Sequence, residues 1–242
     1  MNGATHPPTG PPSDQPPTGA PGNGADDAHG NDRSPAHAWA ELQRGNRRFV
    51  EGAPTHPRQD VERREQLVAA QTPHAALFGC SDSRLAAEII FDNGLGDLFV
   101  VRNAGQVISD SVIGSLEYAV AVLHVPLIVV LGHDECGAVK AAIDSQAPDA
   151  LPLPPHIHQL IEKIIPAVTR VTMRTGAPTI GPDSTEVGRE HLRDTVAELL
   201  HTSELISDAI AAGTLAIVGA NYRLLEGTAV PDIIVGAIPT PN

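Results

Sequence analysis

Cysteine is nearly missing from this chain: 242 residues hold two, Cys80 and Cys136. A disulfide-stapled scaffold needs more than one bridge, so that class is excluded. Aromatic residues make up only 3% of the sequence, too little for the stacking platforms that bind single-stranded nucleic acid. Positive charge is also short. Sixteen Lys and Arg face 29 Asp and Glu, a formal net charge of −13, which argues against nucleic acid or an anionic membrane as the main partner. No apolar run is long enough to span a bilayer. The chain opens without the basic and then apolar stretch of a secretory signal, so a cytoplasmic location is expected.

Another absence marks the domain organisation. Residues 1–34 contain seven prolines and six glycines but no Leu, Ile, Val, Phe, Tyr or Trp. Such a segment has nothing to bury against the entropy of ordering, and it reads as a disordered tail. The expected layout is this tail, a helical arm over 35–74, an α/β domain over 75–232 and a short tail over 233–242.

What the sequence does contain is a series of apolar runs that end in reactive groups. Ala75-Ala76-Leu77-Phe78-Gly79 is followed by Cys80-Ser81-Asp82-Ser83-Arg84, and Val125-Pro126-Leu127-Ile128-Val129-Val130-Leu131-Gly132 by His133-Asp134-Glu135-Cys136-Gly137. Each reads as a buried strand that delivers side chains at its carboxyl end. Cys80, His133 and Cys136 are two sulfurs and an imidazole, a donor set that selects zinc among common metals and leaves one tetrahedral position open. A disulfide between the two cysteines is the plain alternative, and a reducing compartment argues against it. The glycines at 94 and 96 lack the strand, loop and helix context of a nucleotide fingerprint.

Cys80-x-Asp82-x-Arg84 and His133-x-x-Cys136, with Val100-Val101-Arg102-Asn103-Ala104-Gly105 between them, resemble the signatures of the β-class carbonic anhydrases. The similarity extends over about 39–230. It implies an α/β fold with a central, mostly parallel sheet flanked by helices and led by an N-terminal helical arm. It also implies a lyase that hydrates CO2 reversibly to bicarbonate, with one zinc per subunit. Cys80, His133 and Cys136 are the implied ligands, with Asp82 joining them in a closed state only. Arg84 clamps Asp82 and leaves one carboxylate oxygen to accept the proton of the zinc-bound hydroxide. Gln71, Phe99, Ala104, Tyr118 and Gly137 fall at positions that contact substrate in the family. The same resemblance implies a homodimer or tetramer whose sites lie at subunit interfaces, with the segments around Trp39 and 111–122 shared between subunits. A zinc hydrolase of COS or CS2, and a catalytically silent zinc protein on the same fold, are the alternatives that the ligands alone leave open.

Periodicity and punctuation supply the remaining expectations. Ser34-Pro35 starts a helix that Gly45 interrupts and Gly52 ends, and 60–70 form a second helix. Short helices follow over 85–91 and from Asp110, with strand Leu98-Phe99-Val100-Val101 between them. Pro166 divides a helical pattern over 157–171. Residues 189–212 read as one long amphipathic helix, Leu215-Ala216-Ile217-Val218-Gly219 as the last apolar strand, and beyond Pro231 the pattern gives no assignment.

Overall fold

The computed structural model describes residues 33–176 and 181–238, which belong to the unit Asp32–Asn242. Residues 1–32, which carry nearly all of the expected tail, lie outside the described residues. The five strands of the central sheet are β1 (Ala75–Cys80), β2 (Leu98–Asn103), β3 (Leu127–His133), β4 (Ala216–Arg223) and β5 (Thr228–Val235). Their order is β2-β1-β3-β4-β5, with β1 to β4 parallel and β5 antiparallel to β4.

Every residue of β1 and β3 is buried, as expected of central parallel strands covered on both faces. Alternate residues feed two cores. Leu77, Val129, Leu131 and Val218 point to one, with Trp39 and Leu42 of helix α1 (Pro35–Val50) and Ile90 of α3 (Ala87–Ile90). Phe78, Ile128, Val130 and Ile217 point to the other, with Leu116 of α4 (Asp110–Ala121) and Leu192 and Val196 of α8 (Ser184–Thr202). Each such aliphatic side chain contributes roughly 1.5–3 kcal/mol when fully buried.

Gly45 does not interrupt α1. A Cβ there would lie 1.7 Å from the carbonyl oxygen of Phe91, so glycine is what lets this helix lie directly against the chain after α3. Asn46 then ties α1 down: its side-chain amide donates to the carbonyls of Ile90 and Gly227, at 3.1 and 2.8 Å, and accepts from the Ala229 amide at 3.0 Å. Trp39 is therefore a packing anchor inside its own chain, only 4% exposed.

Other expectations shift at their edges. The second helix, α2, is only Val61–Gln66, capped by Asp60, because it has no buried face to extend it. Pro166 divides its pattern as expected, into α6 (Pro155–Glu162) and α7 (Ile165–Thr175). The long pattern over 189–212 is two helices: α8 ends at Ser203, whose extended backbone and hydroxyl cap α9 (Glu204–Ala211). The hydroxyl also donates to Glu117 at 2.6 Å. Strand β5 continues past Pro231 to Val235, where the mixed polar and apolar sequence carried no period. Its half-exposed burial suits an edge strand, the position in a sheet that tolerates proline.

Candidate metal centre

The chain crosses from β1 to β2 on one side and reaches β3 on the other, so the order reverses between β1 and β3. A crevice opens at such a point outside the carboxyl ends of the strands, which is where α/β sheets bind ligands. Gly79 is level with Leu131, so the next residues bring Cys80 and His133 to the same end of adjacent strands. Cys136 follows at the N-cap of α5 (Gly137–Asp144), where helix amides favour a thiolate. Among the described residues, the Cys80, His133 and Cys136 ligand atoms all lie within 4.8 Å of one another, and all three residues are buried.

These atoms suit a metal and little else in the fold accounts for them. The His133 Nδ1–H donates to the Asp134 carbonyl at 2.7 Å, which leaves Nε2 as a bare lone pair. Nε2 is buried and has no hydrogen-bond partner. Both cysteines are free thiols. Contact with the Cys136 thiol holds Cys80 well below the ordinary thiol value, against burial and with help from His133 and from the Gly105 N–H, which lies 3.3 Å from the sulfur. The same contact, then burial, pushes Cys136 up. Of the two sulfurs Cys80 is thus the more readily ionised, and a bound cation would hold both as thiolates.

Asp82 stands beside the triad and is turned to Arg84. The Arg84 Nε donates to Oδ1 at 2.9 Å and Nη2 to Oδ2 at 2.8 Å, a two-point clamp, while the Arg84 backbone N–H adds a bond to Oδ1 at 3.0 Å. The Arg84 guanidinium is the main reason that Asp82 is held well below the usual carboxylate range, against a partial burial that raises it. Nη2 also donates to the Glu135 carbonyl at 3.0 Å, so the loop bearing Cys136 and the loop bearing Cys80 share one arginine. Glu135 itself is exposed, on a left-handed turn with φ 50°.

The expected substrate contacts divide. Ala104 and Gly137 adjoin the centre along the chain, next to Gly105 and Cys136. Gln71 and Tyr118 line a separate open cleft of about 590 Å³, with Leu67, Val68, Gly96 and Leu123, and Phe99 packs toward Tyr118 with ring centroids 6.1 Å apart. Phe99 is level with Ala76 and Asn103 with Cys80, which sets Phe99 roughly 13 Å back along the sheet from the sulfur at 3.3 Å per residue. A single chain does not bring these three residues to its own triad.

Two neighbours of the centre carry roles that motif reading missed. Arg102 donates from Nε to the Cys80 carbonyl at 2.9 Å and from Nη2 to the Asp82 carbonyl at 2.6 Å, which fixes the strand end that presents both side chains. Asn103 closes the following loop by bonding both the amide and the carbonyl of Val107, at 2.9 and 2.7 Å. Their position at the carboxyl end of β2, level with Gly79 and Cys80, was the available signal.

A family model described as carbonic anhydrase matches residues 75–229. Among characterised relatives, carbonic anhydrase 2 of Mycobacterium tuberculosis is 51% identical over 197 residues, covering 81% of this chain and 92% of that protein. The carbonic anhydrase of Mycolicibacterium smegmatis is 48% identical, covering 80% and 91%. The solved β-carbonic anhydrase CcaA superposes with a TM-score of 0.62 at 27% identity, over 82% of this chain and 98% of that one. A tetrameric β-carbonic anhydrase from Sordaria macrospora, at 22% identity and a TM-score of 0.63 over 71% and 87%, shares the fold.

Proposed function

This chain belongs to the β-class carbonic anhydrases, and we propose that it catalyses the reversible hydration of CO2 to bicarbonate and a proton with one zinc ion per subunit. The observation that carries this reading is the buried Cys80, His133 and Cys136 cluster at the carboxyl ends of β1 and β3, with Asp82 clamped by Arg84 beside it. Those three side chains would hold the metal. Zinc, when bound, supplies a Lewis acid that lowers the pKa of water from about 15.7 to about 7, so that a hydroxide nucleophile exists near neutral pH.

The protein's own part is orientation and proton control. Arg84 keeps Asp82 ionised and fixes its plane, so the carboxylate is an acceptor of fixed direction at the open side of the triad. Oδ2, which takes one bond from Arg84, keeps a lone pair for the proton of the nucleophile. Released from Arg84, Asp82 is the residue that would complete a closed, four-ligand site. Gln71, Phe99 and Tyr118 meet substrate across a subunit boundary in this reading, since they lie too far back in their own chain. Ala104 and Gly137 line the same pocket from the triad's side. A homodimer is then the smallest active unit, and a tetramer is a pair of them. Two free, buried thiols suit a cytoplasmic, reducing location. No helix among the described residues is long and apolar enough to cross a membrane.

Stopped-flow measurement of CO2 hydration, with metal content determined on the same sample, tests this. Turnover should scale with zinc and approach its maximum at one zinc per chain. Zinc-replete protein that leaves CO2 untouched but hydrolyses COS or CS2 would replace the reading with the hydrolase; the names of the relatives favour the anhydrase.

A further inference from the structure

His191, on α8, is 3% exposed and lies outside every motif of the site. Its Nε2 is 2.7 Å from the carbonyl oxygen of Gly105, while Nδ1 is buried without a partner. A carbonyl only accepts, so Nε2 carries the hydrogen and the ring is the donor. Burial pushes the imidazole below its ordinary value.

Gly105 is the residue whose amide N–H points at the Cys80 sulfur. It has φ 79°, and a Cβ there would lie 2.8 Å from Ala138 Cβ and 3.1 Å from Ile164 Cδ1. Gln106, the next residue, is buried with φ 40°, a region that non-glycine residues rarely occupy. Two consecutive left-handed residues need an outside hold, and α8 provides it one turn at a time. His191 takes the Gly105 carbonyl, and Thr195 reaches the Gln106 carbonyl at 3.4 Å while bonding the His191 carbonyl at 2.9 Å.

We propose that His191 is a positioning residue of the metal centre: through the Gly105 carbonyl it holds the Gly105 amide on Cys80 and so sets the donor strength of that sulfur. An N–H directed at a thiolate withdraws charge from it, and loss of such an outer partner typically costs about 10–100-fold in metal affinity or activity. The inference rests on the reading of the triad as a metal site.

The test uses the full chain and two substitutions. His191→Phe fills the space without a donor, and His191→Gln restores an N–H. Zinc affinity is measured by competition with a chelator, the sulfur-to-cobalt absorption of the cobalt-loaded protein is recorded, and the melting temperature of metal-free protein is taken alongside. His191→Phe should weaken zinc about 10-fold or more and shift the cobalt band, and His191→Gln should recover both. A purely structural histidine would lower the metal-free melting temperature in His191→Phe while leaving affinity and band unchanged, and that result overturns the proposal. Should His191→Phe fail to fold, His191→Leu takes its place under the same two criteria. Wild-type protein that binds neither zinc nor cobalt would instead overturn the metal reading itself.

Discussion

Two carboxylates fifteen residues apart, Asp82 and Asp97, are each held by arginine, and the two arrangements are built for opposite ends. Asp97 has a fully buried side chain that accepts from Arg58 at 2.9 Å from Nε and 2.5 Å from Nη2, and from the Gly94 amide at 2.7 Å, with Arg63 3.6 Å away. Its backbone carbonyl also takes the His74 amide just before β1. Asp82 keeps 16% of its side chain exposed and relies on one arginine, itself 49% exposed, and the amide of that same residue. A carboxylate saturated by several chain segments cannot leave without disordering all of them. One held by a single exposed side chain two residues away can. The first arrangement fixes the entry to β1, and the second is the lighter hold.

Removing what both arrangements serve has the largest effect. Cys80→Ser, His133→Ala and Cys136→Ser should each lose zinc and CO2 hydration together, since two protein ligands hold a catalytic zinc poorly. Metal analysis and stopped-flow assays on the three proteins would expose a mistaken site if any stayed loaded and active. Asp97→Ala should come next, and on stability: it leaves the Gly94 amide and the partly exposed Arg58 without their acceptor, a loss below the roughly 3–5 kcal/mol of a pair buried on both sides. Urea melts should show that loss in full, and a change within error would place Asp97 outside the framework.

Arg84→Ala sharpens the contrast because its effect should fall on turnover instead. Zinc content and melting temperature should stay near wild type while CO2 hydration drops, with no recovery at high pH, because Asp82 loses its clamp. Full activity in that variant would show the pair to be an ordinary surface ion pair. The smallest effect concerns pH and Asp92, another carboxylate held by arginine. Its burial, which would raise the pKa, is outweighed by the Thr55 amide, Arg48, the His56 amide and the Thr55 hydroxyl, giving a value of about 2. An unfolded Asp sits near about 3.9, so the folded value is depressed. The stabilisation is then present above about pH 3.9 and is lost as pH falls toward 2. Denaturant melts over that acid range should show a shallower pH slope for Asp92→Asn than for wild type; equal slopes would remove Asp92 from the account.

The candidate ligands were legible because reactive residues at the ends of wholly apolar runs have a single structural meaning, and both runs form buried strands. Helix α1 was legible in its start and misread at Gly45, since propensity records the cost of glycine but not the carbonyl that needs the space. Strand β5 was invisible: an edge strand buries one face partially and contains Pro231, so neither period nor composition marked it. His191 had no signal at all, because its partner is a backbone atom 86 positions away.

What the sequence determined by itself is the chemistry: which atoms are available, two sulfurs and one imidazole, and which strands deliver them, because apolar runs and their ends are local properties. What only the tertiary structure decided is how those atoms are held. Strand order set the switch point between β1 and β3, register brought Cys80 beside His133, and a helix from late in the chain reached the loop that touches Cys80. Those relations join residues far apart in sequence through backbone hydrogen bonds and close packing, and backbone groups are the same at every position, so no pattern of side chains could have announced them.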